Sequence, residues 1–315
     1  VAQSEGHAPA AAGGARRAPR LLELRSGDVR LALAPTVGGS IARLSSVRGA
    51  MEDHWLRPAS DSALESANPL GMASFPLVPW CNRIRNGRAD LGARPIRLRP
   101  NYQDSPHTIH GVGWQRPWEV ASAHAREAHL VLEHEAGEWP YRFVAEQTFA
   151  LGENVLDVAL HVRNTDTAPM PLGIGHHPYL PHRDGTRLTA DVERMWSSDA
   201  EAMPTGLERP SFLDEMRRGI LLSDLDLDNN FTGWTRRATV DWPREGMRVV
   251  LEADPPLDFF VVYCPRVYDF FCMEPVSNCT DWLNLRDRPD SERGGTMLAP
   301  GASLQAGFRL RLEWT

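Results

Sequence analysis

Three stretches of this 315-residue chain hold the side chains that could move protons or grip a polar molecule. The first begins Phe75-Pro-Leu-Val-Pro-Trp80-Cys-Asn82-Arg83-Ile-Arg85-Asn-Gly-Arg88. After a polar connector it continues His107-Thr-Ile-His110-Gly111-Val-Gly113-Trp114-Gln-Arg-Pro-Trp118. Arginine, histidine and asparagine can hydrogen-bond a polar ligand while the three tryptophans stack on its face. Taken alone, such a stretch reads more readily as a packed, hydrogen-bonded loop than as a site. The second stretch, Gly175-His176-His177-Pro178-Tyr179, frames a histidine pair between glycine and proline. The third, Phe270-Phe-Cys-Met273-Glu274-Pro275, puts a carboxylate at the end of an apolar strand. Burial there disfavours the charged form and raises the pKa of Glu274, as a working acid or base requires. A strand-end glutamate that is solvated or paired with an arginine is the plainer reading; a histidine partner tells against it.

The backbone around these residues must be irregular. Pro76 and Pro79 lack the N–H that a central strand or helix would use, so Trp80, Asn82 and Arg83 are expected on an edge or cleft loop, where sites often lie. Gly111 and Gly113 allow turns closed to other residues and a close approach to a ligand. The rest reads as strands. Val29, Leu31 and Leu33 alternate with polar or small residues, and Gly38-Gly39 breaks the chain before Ile41 to Leu44, which predicts an opening strand pair. Leu156, Val158, Leu160 and Val162 share one face of a strand that follows a hairpin turn at 151–154. Arg248 to Glu252, Phe259 to Cys264 and Asp269 to Met273 read as buried strands, and Leu304, Ala306, Phe308, Leu310 and Leu312 give the cleanest alternation. Within 163–235, Ser211 to Arg218 is the one short helix expected. The pattern predicts an all-β fold, a large antiparallel sandwich, over one domain from 21 to 315. Residues 1–20, rich in alanine, glycine, proline and arginine, read as a disordered leader.

Composition narrows the function. With 42% hydrophobic and 24% charged residues the chain can build a sizeable core. A formal charge of -7 argues against nucleic acid or an anionic membrane as partner, and no apolar run approaches the ~18 residues that span a bilayer. Every basic residue is arginine. The absence of lysine removes pyridoxal phosphate Schiff bases, lysine-dependent aldolase chemistry and the phosphate-loop lysine together. Cys81, Cys264, Cys272 and Cys279 form no Cys-x-x-Cys pair and read as reduced thiols, with the cytoplasm the expected location.

In order and approximate spacing, Asn82-Arg83-Ile-Arg-Asn-Gly87-Arg88, His110-Gly111, His177-Pro-Tyr179, Asp228-Asn-Asn-Phe231 and Glu274-Pro275 resemble the aldose 1-epimerase (galactose mutarotase) family, over about Leu22 to Trp314. The resemblance implies a large antiparallel sandwich with an open sugar cleft, and cofactor-free interconversion of the α and β anomers of an aldose, with a monosaccharide as the partner. Matched by motif, Glu274 resembles the general base and His177 the general acid, while Arg83, His110 and Asp228 resemble the sugar-binding set. The chain departs from galactose-type members at His176, where they tend to carry asparagine, and at Pro178. Three other readings compete. A non-catalytic sugar-binding protein would not need both Glu274 and His177. A hexose-6-phosphate or sulfosugar epimerase would need cations such as Arg85 and Arg88. A metal-dependent isomerase would use His107, His110, His176 and Glu274, which lack a recognised ligand spacing, so no metal or other cofactor is expected.

Overall fold

A computed structural model describes residues 19–91 and 94–315. The expected leader over 1–20 therefore lies outside the described residues, apart from Pro19 and Arg20. Strands dominate, and every ladder between them is antiparallel. The opening pair is found as part of a four-stranded meander, Leu22–Ser26, Val29–Ala34, Ser40–Arg48 and Met51–His54.

Two large sheets form the sandwich. The nine-stranded sheet has the C-terminal strand Ser303–Trp314 in the middle, between Val155–Asn164 and Met247–Ala253. The alternation in the sequence explains its placement: Ala306, Phe308, Leu310 and Leu312 are buried, and their partners Leu160, Val158 and Leu156 across the ladder are buried on the same face. The eight-stranded sheet runs Pro204–Glu208, Arg194–Ser198, Leu227–Thr232, Phe259–Cys264, Phe270–Val276, Gly175–His176 and Pro76–Leu77, with Tyr179–Pro181 also paired to Phe270–Val276. The short helix appears as Phe212–Met216.

Two expectations need correction here. Glu274 is not at a strand end: the strand runs on to Val276, and Pro275 sits opposite Phe260 with Glu274 opposite Val261. Burial of Glu274 thus comes from an interior strand position and not from a chain exit. Trp80, Trp114 and Trp118 do not line a ligand face. All three belong to the core, and the indole N–H groups of Trp114 and Trp118 donate to the backbone carbonyls of Gly111 and Gly113. They brace the loop.

Candidate active site

Alternation along the Phe270–Val276 strand puts Phe270, Cys272 and Glu274 on one face, with Phe271 and Met273 on the other among the core residues. Register carries that first face across the sheet. Cys272 stands opposite Tyr179 on one side and Tyr263 on the other, and Tyr263 stands opposite Asp228. Asp228 therefore reaches the Glu274 face because the strands are in this register, although 46 residues separate the two in sequence.

The two histidines part company on the same principle. Gly175 is caught between Leu77 and Val276, so closely that an added Cβ would lie 2.6 Å from the Pro275 carbonyl oxygen. His176 then faces the second sheet, its ring 5.1 Å from that of Phe308, and neither ring nitrogen has a hydrogen-bond partner among the described residues. His177, whose N–H donates to the Phe75 carbonyl, turns the other way. Its Nε2 lies 3.3 Å from Glu274 Oε1. The imidazole also contacts Phe75 and Tyr179, each at a 4.7 Å centroid separation, and meets the His110 ring edge-on at 5.1 Å.

Arg83 and His110 are set by Asn82. Asn82 and His110 both hold left-handed backbone, at φ 57° and 61°, and they lock each other: Asn82 N–H donates to His110 Nδ1 at 3.3 Å, and His110 N–H donates to the Asn82 carbonyl at 3.0 Å. Gly111 makes the turn possible, since at φ 78° a Cβ would sit 1.9 Å from the Val78 carbonyl oxygen. The Asn82 side-chain oxygen accepts from the Arg83 backbone N–H and from Nη1, which aims Nη2 at Asp228 Oδ2, 3.1 Å away. With Nδ1 of His110 occupied as an acceptor, its proton resides on Nε2, and burial keeps the ring neutral, well below the ordinary histidine range.

Electrostatics distinguishes Glu274 and His177 from surface groups. Burial pushes the Glu274 carboxyl well up, Asp228 adds to the rise, and Arg83 opposes it. Burial above all, with the Arg57 and Arg83 cations adding to it, brings His177 down to about 3. Both effects favour uncharged forms, a carboxylic acid beside a neutral imidazole. A carboxyl and an imidazole in contact, beside three polar anchors, can deliver and remove protons on neighbouring oxygens of a small polyol.

All five residues singled out in the sequence thus come together: Glu274, His177, Arg83, His110 and Asp228. The four histidine and glutamate residues of the metal reading do not. His107 accepts from the Asn86 N–H through Nδ1 and turns Nε2 toward Glu201, while His176 faces Phe308. Among the described residues no three His, Cys, Asp or Glu side chains gather closely enough to hold a metal ion. Asn82 was visible in its motif, but its double role depends on φ. Two contributors escaped the sequence reading: Tyr102, within electrostatic reach of Arg83 and Asp228, and Arg57, over the Tyr179 ring, sit in stretches without any signal and reach the site only through folding.

Residues 20–311 match the sequence profile of a family described as Aldose 1-epimerase. The uncharacterized Escherichia coli K12 protein YphB is 31% identical over 297 residues, covering 86% of this chain and 95% of that one. A crystal structure of an E. coli K12 protein provisionally described as an aldose 1-epimerase superposes with a TM-score of 0.83 at 29% identity, covering 94% and 99% of the two chains. A galactose mutarotase-like protein from Clostridium acetobutylicum superposes at 0.84 with 19% identity, covering 94% and 95%, a likeness of fold.

Proposed function

The chain belongs to the aldose 1-epimerase family, and from that premise we propose that it interconverts the α and β anomers of a neutral aldohexose, with Glu274 and His177 as the proton-transfer pair. The observation that carries this reading is their 3.3 Å contact at a buried face shared with Asp228. Arg83, His110 and Asp228 hold the sugar hydroxyls in it.

The steps balance on one proton. The Glu274 carboxylate takes the proton from the anomeric hydroxyl while the His177 imidazolium gives its own to the ring oxygen. The C1–O5 bond breaks and the electron pair left on O1 closes the C1 carbonyl. The pair now stands as carboxylic acid and neutral imidazole, the form that burial favours. After the carbonyl turns about C1–C2, the O5 hydroxyl attacks its other face. His177 takes back the O5 proton and Glu274 returns its proton to O1. Arg83 favours the Glu274 carboxylate, which eases the return of that proton to O1.

Neutral sugars suit the charges. Of the cations acting on the pair, Arg83 is engaged by Asp228 and Asn82, and Arg57 is held by the carbonyls of Leu70 and Met72 and stacked on Tyr179 and Phe270. Of the arginines a phosphate would need, Arg85 pairs with Asp281, and Arg88 lines a separate groove with Arg97 and Arg99. The four cysteines are free and buried, which suits a reducing cytoplasm. Freshly dissolved α-glucose, α-galactose and α-glucose 6-phosphate, followed by proton NMR, test the reading. Faster equilibration of the two neutral sugars is expected. No acceleration of any, or of the phosphate alone, contradicts it.

A further inference from the structure

His177 does not stand alone behind its proton. Its ring, that of Phe75 and that of Tyr179 form a triangle with centroid separations of 4.7, 4.7 and 6.1 Å. The guanidinium of Arg57 lies over the Tyr179 ring at 3.9 Å and over Phe270 at 4.5 Å. Arg57 is fixed from behind: Nη2 donates to the carbonyls of Leu70 and Met72, each at 2.8 Å, and its backbone N–H donates to the Tyr179 carbonyl at 2.9 Å. Among the described residues no carboxylate pairs with it, in contrast to Arg83, which faces Asp228. A half-buried cation held by two neutral carbonyls keeps its field, because no nearby anion cancels it.

We propose that Arg57 is a positioning residue for His177: it clamps Tyr179 against the imidazole and so holds the ring in line with Glu274. The proposal rests on the epimerase reading for its consequence in turnover, but not for its geometry.

Several groups face His177. Glu274 comes from the Phe270–Val276 strand, His110 from the loop after Thr108–Ile109, Arg83 from Arg83–Ile84, and Tyr179 from the strand that follows His177. Glu274 attracts a proton on the imidazole and neutral His110 is nearly indifferent. The two arginines oppose that proton, and the Arg57 field acts alongside burial in keeping the ring neutral. Removing Arg57 relaxes one of these oppositions, so His177 takes up its proton at higher pH, while the loosened Tyr179 ring no longer holds the imidazole in place. Removing Asp228 would strengthen the field of Arg83 and move His177 the opposite way.

The test uses the full chain and its Arg57→Met and Arg57→Lys variants, with two readouts. Nitrogen-15 NMR of labelled histidines follows the His177 ring directly and does not depend on which sugar is turned over. Its titration midpoint should rise by about 0.5 to 1 pH unit in Arg57→Met and return toward wild type in Arg57→Lys. Steady-state kinetics on the preferred sugar should show kcat about tenfold lower in Arg57→Met with KM nearly unchanged, and substantial recovery in Arg57→Lys. An unmoved midpoint, or a loss that Arg57→Lys shares equally, leaves Arg57 a packing residue and overturns the proposal. If no sugar is turned over by wild type, the epimerase reading fails while the NMR comparison still decides this one. Should Arg57→Met not fold, Arg57→Gln, which can still donate to one of the two carbonyls, carries the same comparison.

Discussion

His176 and His177 are neighbours in sequence, both buried and both driven by burial to about 3, yet they face two different worlds. His177 meets a carboxyl, two aromatic rings and a second histidine; His176 meets Phe308 in the middle of the sandwich. Nothing in their residue type separates them. Strand parity does, set by Gly175 between Leu77 and Val276. A perturbed pKa therefore marks burial in both, and only the Glu274 partner sets apart the one we propose moves a proton.

Substitutions can break that contrast. The largest effect is expected from His177→Asn, which should lower kcat by about 100-fold or more with the fold intact, since general acid catalysis supplies about 10² to 10⁴. His176→Leu should leave kcat within about twofold. If the two variants behave alike in a sugar-equilibration assay, parity does not divide their roles. Next, Asp228→Asn should raise KM by about tenfold through loss of a charged hydrogen bond and of the anchor for Arg83. A change confined to kcat would move Asp228 from holding sugar to moving protons.

Smaller and opposite in sign is the stability effect at His176. Two buried ring nitrogens without protein partners among the described residues cost free energy, and leucine of similar volume removes that cost, so His176→Leu should stabilise the chain by about 1 to 3 kcal/mol in urea unfolding. His176 also shapes the acid limb. Its folded pKa is depressed, so between the unfolded value near 6.5 and about 3 the unfolded chain binds the extra proton, and stability is lost as pH falls through that window. His176→Leu should flatten the limb by at most about 1.4 kcal/mol per pH unit. An unchanged slope would mean that His176 is protonated, or hydrated, in the fold.

Much of the architecture was legible because alternation is a local signal. Leu156 to Val162 and Ala306 to Leu312 announce strands with one buried face, and the structure pairs them in register. The site residues were legible as types in motifs, but their geometry was not. Which histidine of the pair turns toward Glu274 depends on strands about 100 residues apart in sequence on either side. That Glu274 lies inside its strand was not legible, because the apolar run breaks at a charged residue while the strand continues to Val276. The tryptophans misled because their composition suits a sugar face as well as a core. Arg57 had no signal at all: its place over Tyr179 is set by carbonyls of a turn and by the pairing of a distant strand.

The most direct measurement is the equilibration of a freshly dissolved pure anomer of the preferred neutral sugar, followed by polarimetry with wild type and Glu274→Gln side by side. Glutamine keeps the shape of Glu274 and removes its proton chemistry. The account predicts rapid equilibration by wild type and a kcat at least about 100-fold lower for Glu274→Gln, with sugar binding retained. Near-normal turnover by Glu274→Gln would contradict the assignment of Glu274 and His177 as the pair that opens and closes the ring.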